Sequence, residues 1–392
     1  MSAADTANTG SQPSTIFLTG ATGFLGAFVL EELLRRTDAT IYALVRGADA
    51  GEGMRRLREG LAGFRIDAGD LSGRIVPVPG DLAQPLMGMS PSMFDRLSEE
   101  IDAVYHSGAH VNFAYPYEAL KAANVDGTRE VIRLCVRNRI KRLHHVSAVD
   151  AIVQKGQSRV TETTPLPERP LPHGYVQSKW AAERVVEAAE ARGLPVTIYR
   201  PWLTGAHSRT GVCHTTDYVL RLLRACLEVG IVPDYDEEFN ITPVDYYASA
   251  LVHISQRTDS IGGRYHLANH TSASLPEIYS WLTSYGYDLD VLPYHSWRER
   301  MVNELPPTSP GYSVLPLIPA HPVGPESKHP TIDCANTWAA VAGTGIECQA
   351  LDERLMHLEL DYLNDIDFLT PPVGPAARRP LATAGTGPTP ES

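Results

Sequence analysis

Residues 15–34 read TIFLTGATGFLGAFVLEELL, and the first eight of them after Leu18 decide the architecture. Ile16-Phe17-Leu18 is a short apolar run of buried-strand type, and Phe24, Leu25, Phe28, Val29 and Leu33 recur at helical spacing. Between them lies Thr19-Gly20-Ala21-Thr22-Gly23-Phe24-Leu25-Gly26. Gly20 permits the tight turn, Gly23 lets backbone N–H groups approach a pyrophosphate, and Gly26 lets the helix close on the sheet. The helix N-terminus then faces the anion with its positive end. A glycine triplet alone is weak; its place between strand and helix is what makes a nucleotide site the reading, against a merely structural turn.

Outward from this turn the same alternation continues. Strands are expected at Ile41–Val45, Arg74–Pro79, Ala103–His106, Leu143–Val146 and Val196–Tyr199, with helices through Val131–Val136 and Tyr175–Ala191. Strands separated by helices of this length make right-handed parallel crossovers. The expected fold class is therefore α/β, a doubly wound parallel sheet of Rossmann type with a smaller, mainly helical C-terminal domain facing substrate. Residues 15–205, with a return segment near 241–268, form the nucleotide domain; 206–240 and 269–371 form the substrate domain. The ends, 1–14 and 372–392, read as disordered tails. Eight prolines between Leu305 and Pro330 suggest an ordered excursion of loop and short helix.

The composition narrows function. With 34 basic and 46 acidic residues the net charge is −12, which argues against nucleic acid and anionic membranes as partners. Five cysteines without ligand spacing, and no long apolar span or signal peptide, suggest a cytoplasmic protein and a monomer with no structural metal. The 14 histidines include no HExxH pair, and His144 and His145, adjacent in a strand, should face opposite ways. Arg133, Arg137, Arg139, Lys141 and Arg142 form a basic cluster, either a solvated helix end or a docking patch for an acidic carrier.

Strand two ends Leu44-Val45-Arg46 with nothing acidic from Thr40 to Ala48, where an NAD site would carry a carboxylate. Arg46, seconded by Arg55 or Arg56, suits a 2′-phosphate, so NADPH is the expected cofactor. Asp81, at the end of the third strand, can accept from an adenine amino group. Ser107-Gly108-Ala109, after the fourth, lets backbone lie along the cofactor. Tyr175 and Lys179 share a helix face at i, i+4, the expected acid/base pair, with the ammonium lowering the phenol's pKa. Asn124 can hold a proton-relay water.

These stretches, with GDL, VYHSGAHVNFAYPYEALKAANVDGT, YVQSKWAAE, YRPWLTG and ITPVDYYASAL, resemble the thioester reductase family. That family, within the extended short-chain dehydrogenases/reductases, comprises the terminal reductase domains of nonribosomal peptide and polyketide synthetases and of carboxylic acid reductases. The resemblance implies an NADPH-dependent release of an acyl or peptidyl chain from the phosphopantetheine arm of a carrier protein, giving an aldehyde and, after a second reduction, a primary alcohol. It carries Gly20, Thr22, Gly23, Phe24, Leu25 and Gly26 to the pyrophosphate loop and Arg46 and Arg56 to the 2′-phosphate. Asp81 and Leu82 go to adenine, Ser107, Gly108, Ala109 and Val111 to the cofactor-lining strand end, and Pro201, Trp202 and Leu203 to the nicotinamide. Tyr175 and Lys179 match its catalytic pair. Where the family reads Val-Ser-Thr, this chain has Val146-Ser147-Ala148 and so lacks the hydroxyl that donates to the substrate carbonyl. Three readings stay open: Ser147 stands in through a shifted backbone, since neighbouring side chains point apart; Tyr175 carries the oxyanion alone in a slower enzyme; or the position leaves a form that binds but turns over poorly. The rival readings are an extended reductase of acyl-CoA, sugar or free carbonyl, and a weakly active NADP-binding module. The chain shows no adenylation or carrier segment, so a carrier is expected in trans or from a parent synthetase.

Overall fold

The computed structural model describes residues 12–67, 69, 73–154, 156–169, 173–319 and 329–372, so the two expected tails lie almost wholly outside the described residues. Seven parallel strands make one sheet: β1 (Thr15–Thr19), β2 (Thr40–Val45), β3 (Ile75–Pro79), β4 (Ala103–His106), β5 (Arg142–Val146), β6 (Val196–Pro201) and β7 (Arg264–Leu267). Their order is β7-β6-β5-β4-β1-β2-β3, and every neighbour pair is parallel. The order reverses between β1 and β4, which opens a crevice at their carboxyl ends, the place where such sheets take ligands. Pro77 and Pro79 lack an N–H, and they are tolerated because β3 is an edge strand paired on one side only.

Helices cover both faces. On one, Ile16 and Leu18 of β1 pack with Phe24, Phe28 and Leu33 of the Phe24–Arg36 helix and with the apolar Val244–Ser255 helix. On the other, Phe17, Val104, Leu143 and Ile198 meet Leu134 and Val186 of the Gly127–Val136 and Gly174–Glu190 helices. This alternation of β1 side chains between two cores is the period-two pattern of a strand buried on both sides.

The region expected to face substrate has an apolar centre of its own, in which Trp297, Met301, Ile231 and Leu315 are buried together. Pro310–Leu317 forms a 3-10 run inside it. The last described helix, Glu353–Asp365, behaves differently. Its Leu355, Met356, Leu360 and Leu363 enter the same core as β1, and Arg65 pairs with Asp365 at 3.1 Å.

Candidate active site

The glycine turn is built from mutual exclusion of side chains. Gly20 sits at φ +82°, and a Cβ there would lie 2.7 Å from the backbone nitrogen of Gly108. A Cβ on Gly26 would lie 2.0 Å from the Gly20 carbonyl oxygen, and one on Gly108 2.7 Å from the Leu82 side chain. Gly23 begins the Phe24–Arg36 helix without a side-chain cap, and no acid occupies its first turn. Its free N–H groups and positive end therefore suit a diphosphate. The residues present thus fit a dinucleotide cofactor, which when bound would supply a hydride at its nicotinamide.

Toward the ribose end, Arg46 is exposed directly after β2 and Arg56 is half-buried on the Ala50–Gly63 helix. Neither makes an ion pair or side-chain hydrogen bond among the described residues, whereas Arg55 is held by Glu59 at 2.7 Å. Asp49 caps the Ala50–Gly63 helix by accepting the Glu52 N–H at 2.9 Å, so its carboxylate is already engaged. Asp81 accepts one bond, from the Ala83 N–H, and keeps its other oxygen open.

Under the turn runs a chain of hydrogen bonds that the sequence reading missed. Thr19 Oγ1 accepts the Gly108 N–H at 3.0 Å and lies 2.8 Å from His106 Nδ1; His106 Nε2 lies 2.9 Å from Thr128 Oγ1. Thr128 donates its own proton to the Asn124 carbonyl, so donor counting puts the ring proton on His106 Nε2. Burial drives the His106 pKa down to about 3, so this imidazole is neutral. Ser107, Gly108 and Ala109 are half-buried over the chain, and Val111 is exposed beyond them.

Asn124 lies in a π-helical turn, Ala122–Asp126, and is buried. Its Nδ2 donates to the His110 carbonyl and to Ser178 Oγ, and its Oδ1 accepts the His110 N–H at 2.6 Å. The expected water holder is, in its side chain, a brace between the β4 exit and the Tyr175 helix.

Tyr175 opens the Gly174–Glu190 helix, its ring edge-on to Phe113 with centroids 5.0 Å apart. Lys179, one turn on, is buried and donates to the Val146 carbonyl at 2.7 Å. Burial brings its pKa down to about 8 while Glu183 pulls it up. The phenol departs from expectation. Its pKa is raised, by burial and by the charge of Asp150. The lysine lowers no phenol pKa here because its ammonium is turned to the end of β5 and loss of water dominates. Ser147, the expected stand-in, directly follows β5. Its Oγ is closed off from solvent and has no hydrogen-bond partner, on the strand face of His145, whose ring lies 5.4 Å from that of His106.

Asp150 sits in the 3-10 turn that follows Ala148 and is half-buried, between Val149 and Ala151, which are fully buried. Its charge is felt at Tyr175, and burial raises its own pKa. Pro201 and Trp202 are buried and Leu203 half-buried. The Trp202 ring meets His329 edge-on at 5.2 Å, and its backbone N–H donates to the Leu267 carbonyl, which anchors this segment to β7. The basic cluster is largely engaged: Arg137 pairs with Asp95, Arg139 with Asp102, and buried Lys141 donates to the Arg137 and Arg139 carbonyls. Among the described residues no group of three or more His, Cys, Asp or Glu side chains could hold a metal ion. No described helix is long and apolar enough to cross a membrane.

Comparison with known proteins agrees with this geometry. Residues 18–251 match an NAD-binding family described as male sterility protein. A linear gramicidin synthase polypeptide of Brevibacillus parabrevis is 37% identical over 358 residues, 90% of this chain but 7% of that protein. Isonitrile lipopeptide synthase of Streptomyces coeruleorubidus is 36% identical over 92% of this chain and 25% of its own length. The chain thus spans a small part of these curated relatives. A crystal structure of the terminal R domain from the myxalamid PKS-NRPS biosynthetic pathway superposes with a TM-score of 0.89 at 46% identity, covering 92% of this chain and 93% of that one. A glycine cradle, a half-buried tyrosine above a buried lysine and this kinship together place the chain in the NAD-binding male sterility protein family, among the terminal reductase domains of the extended short-chain dehydrogenase/reductase superfamily.

Proposed function

We propose that this chain uses NADPH to release an acyl or peptidyl group from the phosphopantetheine thioester of a carrier protein as an aldehyde, with a second reduction leading to a primary alcohol. The observation that carries the reading is the meeting, at one crevice, of the glycine cradle with half-buried Tyr175 and buried Lys179, in a chain that matches a terminal R domain over nearly its whole length. Unpaired Arg46 and Arg56 favour the 2′-phosphate of NADPH over NADH. Hydride arriving at the thioester carbon pushes the carbonyl electron pair onto oxygen. Tyr175, whose phenol holds its proton firmly, donates to that oxygen. Lys179, one turn along the same helix, holds its ammonium at the Val146 carbonyl and adds positive charge to the site. Collapse then reforms the carbonyl and expels the thiol. Phe113 lies against the Tyr175 ring, and Trp202 directly follows β6.

One observation favours a second reading, a weakly active NADP-binding module: Ala148 has no hydroxyl, and that of Ser147 is shut in. A carrier loaded with one acyl thioester, incubated with NADPH and the chain, should yield aldehyde or alcohol by mass. Acyl-CoA and free carbonyl compounds run beside it test the rival substrate classes; equal turnover on all of them sinks the carrier assignment. NADPH binding with no turnover on any of them supports the module.

A further inference from the structure

Lys179 and Glu183 stand one turn apart on the buried face of the Gly174–Glu190 helix, 5% and 0% exposed, and Arg200 of β6 beside them is 1% exposed. Glu183 Oε1 accepts from Arg200 Nε at 3.0 Å and Nη2 at 2.5 Å, while Oε2 is enclosed without a hydrogen-bond partner. Arg200 is held in turn: its Nη1 lies 3.4 Å from His266 Nε2, and His266 Nδ1 donates to the Asp333 carbonyl at 2.8 Å. The His266 N–H donates to Glu162, which also accepts from Thr337 and Asn336. A line of buried polar contacts thus runs from the catalytic helix through β6 and β7 to the 333–337 segment.

The other groups facing Lys179 carry no negative charge. His145 of β5 and His106 of β4 are both neutral, pushed far below the ordinary histidine range by burial. The Val146 carbonyl is a dipole, and Tyr175 on the same helix is a phenol with a raised pKa. Asp150 acts on Tyr175 rather than on the lysine. Arg200 adds a second cation on the far side of Glu183. A lysine so enclosed loses its proton unless an anion compensates the missing water.

We propose that Glu183 is a positioning residue for the Tyr175–Lys179 pair: its buried carboxylate keeps Lys179 an ammonium, and Arg200 locks that carboxylate in place. The proposal rests on the reductase reading of the same site. Lys179 already stands near the neutral range, at about 8. Without Glu183 it faces Arg200 uncompensated and its pKa falls further.

The test is Glu183→Gln in the full chain, with turnover and NADPH affinity both measured from pH 6 to 9. Wild type should lose activity as pH rises through about 8. In Glu183→Gln that limb should move down by about one unit, leaving the variant about tenfold below its own acid plateau at pH 8. NADPH affinity should show the same displaced limb without any turnover. Because Glu183→Gln strands Arg200, the double variant Glu183→Gln/Arg200→Met removes both buried charges together. Its limb should fall between those of wild type and the single variant, since the repulsion from Arg200 is gone. A uniform fall in kcat at every pH, with both limbs in place, overturns the proposal and leaves Glu183 a structural residue. If wild type reduces a free aldehyde but no carrier thioester, the substrate class fails while the limb remains measurable; if nothing turns over, the affinity limb decides alone.

Discussion

Gly26→Ala puts the cradle under a direct strain. The added Cβ would lie 2.0 Å from the Gly20 carbonyl oxygen and 2.6 Å from its carbon, both backbone atoms that cannot swing aside. Reaching even the shortest tolerated contact requires the Phe24–Arg36 helix to lift by about 1 Å from the β1 turn. The Gly23 N–H to Gly20 carbonyl bond, now 2.9 Å, would then stretch past hydrogen-bonding range. The N–H groups offered to a diphosphate would move equally far. Two charge-assisted bonds weakened in this way amount to about 3 kcal/mol, or roughly 100-fold in NADPH affinity. Overpacking of the helix against β1 should cost about 1–3 kcal/mol of stability besides, a fall of several degrees in Tm. Gly60→Ala is the internal control. Its Cβ would sit 3.6 Å from the Thr22 carbonyl oxygen, an ordinary contact, on a regular helix. There the exchange should leave binding alone and add about 0.5–1 kcal/mol. Calorimetric titration with NADPH and thermal unfolding of both variants read the difference. If Gly26→Ala binds NADPH within threefold of wild type at an unchanged Tm, the close approach of helix and turn is not what forms the cradle.

Replacing Arg46 and Arg56 together by alanine should weaken NADPH binding by about 10- to 100-fold while NADH affinity moves less than threefold; parallel titrations decide, and equal losses would dissociate these arginines from the 2′-phosphate. Ala148→Thr should raise kcat by about 10- to 100-fold by supplying an oxyanion donor at an extended position (φ −156°, ψ 148°) that suits a β-branched residue; unchanged turnover would mean another group already serves. Glu359, buried on the last helix beside Cys213, has its carboxyl pKa raised to about 7 by burial. A folded pKa above the unfolded value favours the protonated form, so stability is full below about 4.5 and is lost as pH rises to about 7. Glu359→Gln should remove roughly 2–3 kcal/mol of that fall, seen as denaturation curves of the two proteins that diverge between pH 5 and 8; parallel curves refute it.

Six of the seven sheet strands were legible because each carries its own apolar run between turn residues, and Arg74–Pro79 erred only by one residue at its start. β7 is harder: Arg264, Tyr265, His266 and Leu267 look half-polar, and the partners lie far off in the chain, Glu190 for the Arg264 side chain, 74 residues back, and the Asp333 carbonyl for the His266 ring, 67 residues on. The positions of the glycine turn and of Tyr175 and Lys179 could be read because local spacing creates them. Their electrostatics could not. The phenol's pKa is raised by enclosure and by Asp150, and the lysine's is lowered by burial against the pull of Glu183, all set by packing. Ser147 shows the same limit. The alternation of a strand told that Ser147 and Ala148 face apart, but only the fold tells which of them looks into the crevice.

The helix Glu353–Asp365 has a consequence for how the chain comes into being. It fills the same core as β1, with Asp365 reaching Arg65 across 300 positions and Tyr362 lying 4.8 Å from the guanidinium of that arginine. Part of the core that includes β1 therefore stays open until the Glu353–Asp365 helix has been synthesised. Folding of such long-range contacts is slow, and a growing chain that emerges strand first must wait, exposed, for its end. For the same reason residues 15–205 should not survive as a separable nucleotide-binding fragment. Any hybrid enzyme made by grafting should take the chain whole, with its joints outside residues 15–369.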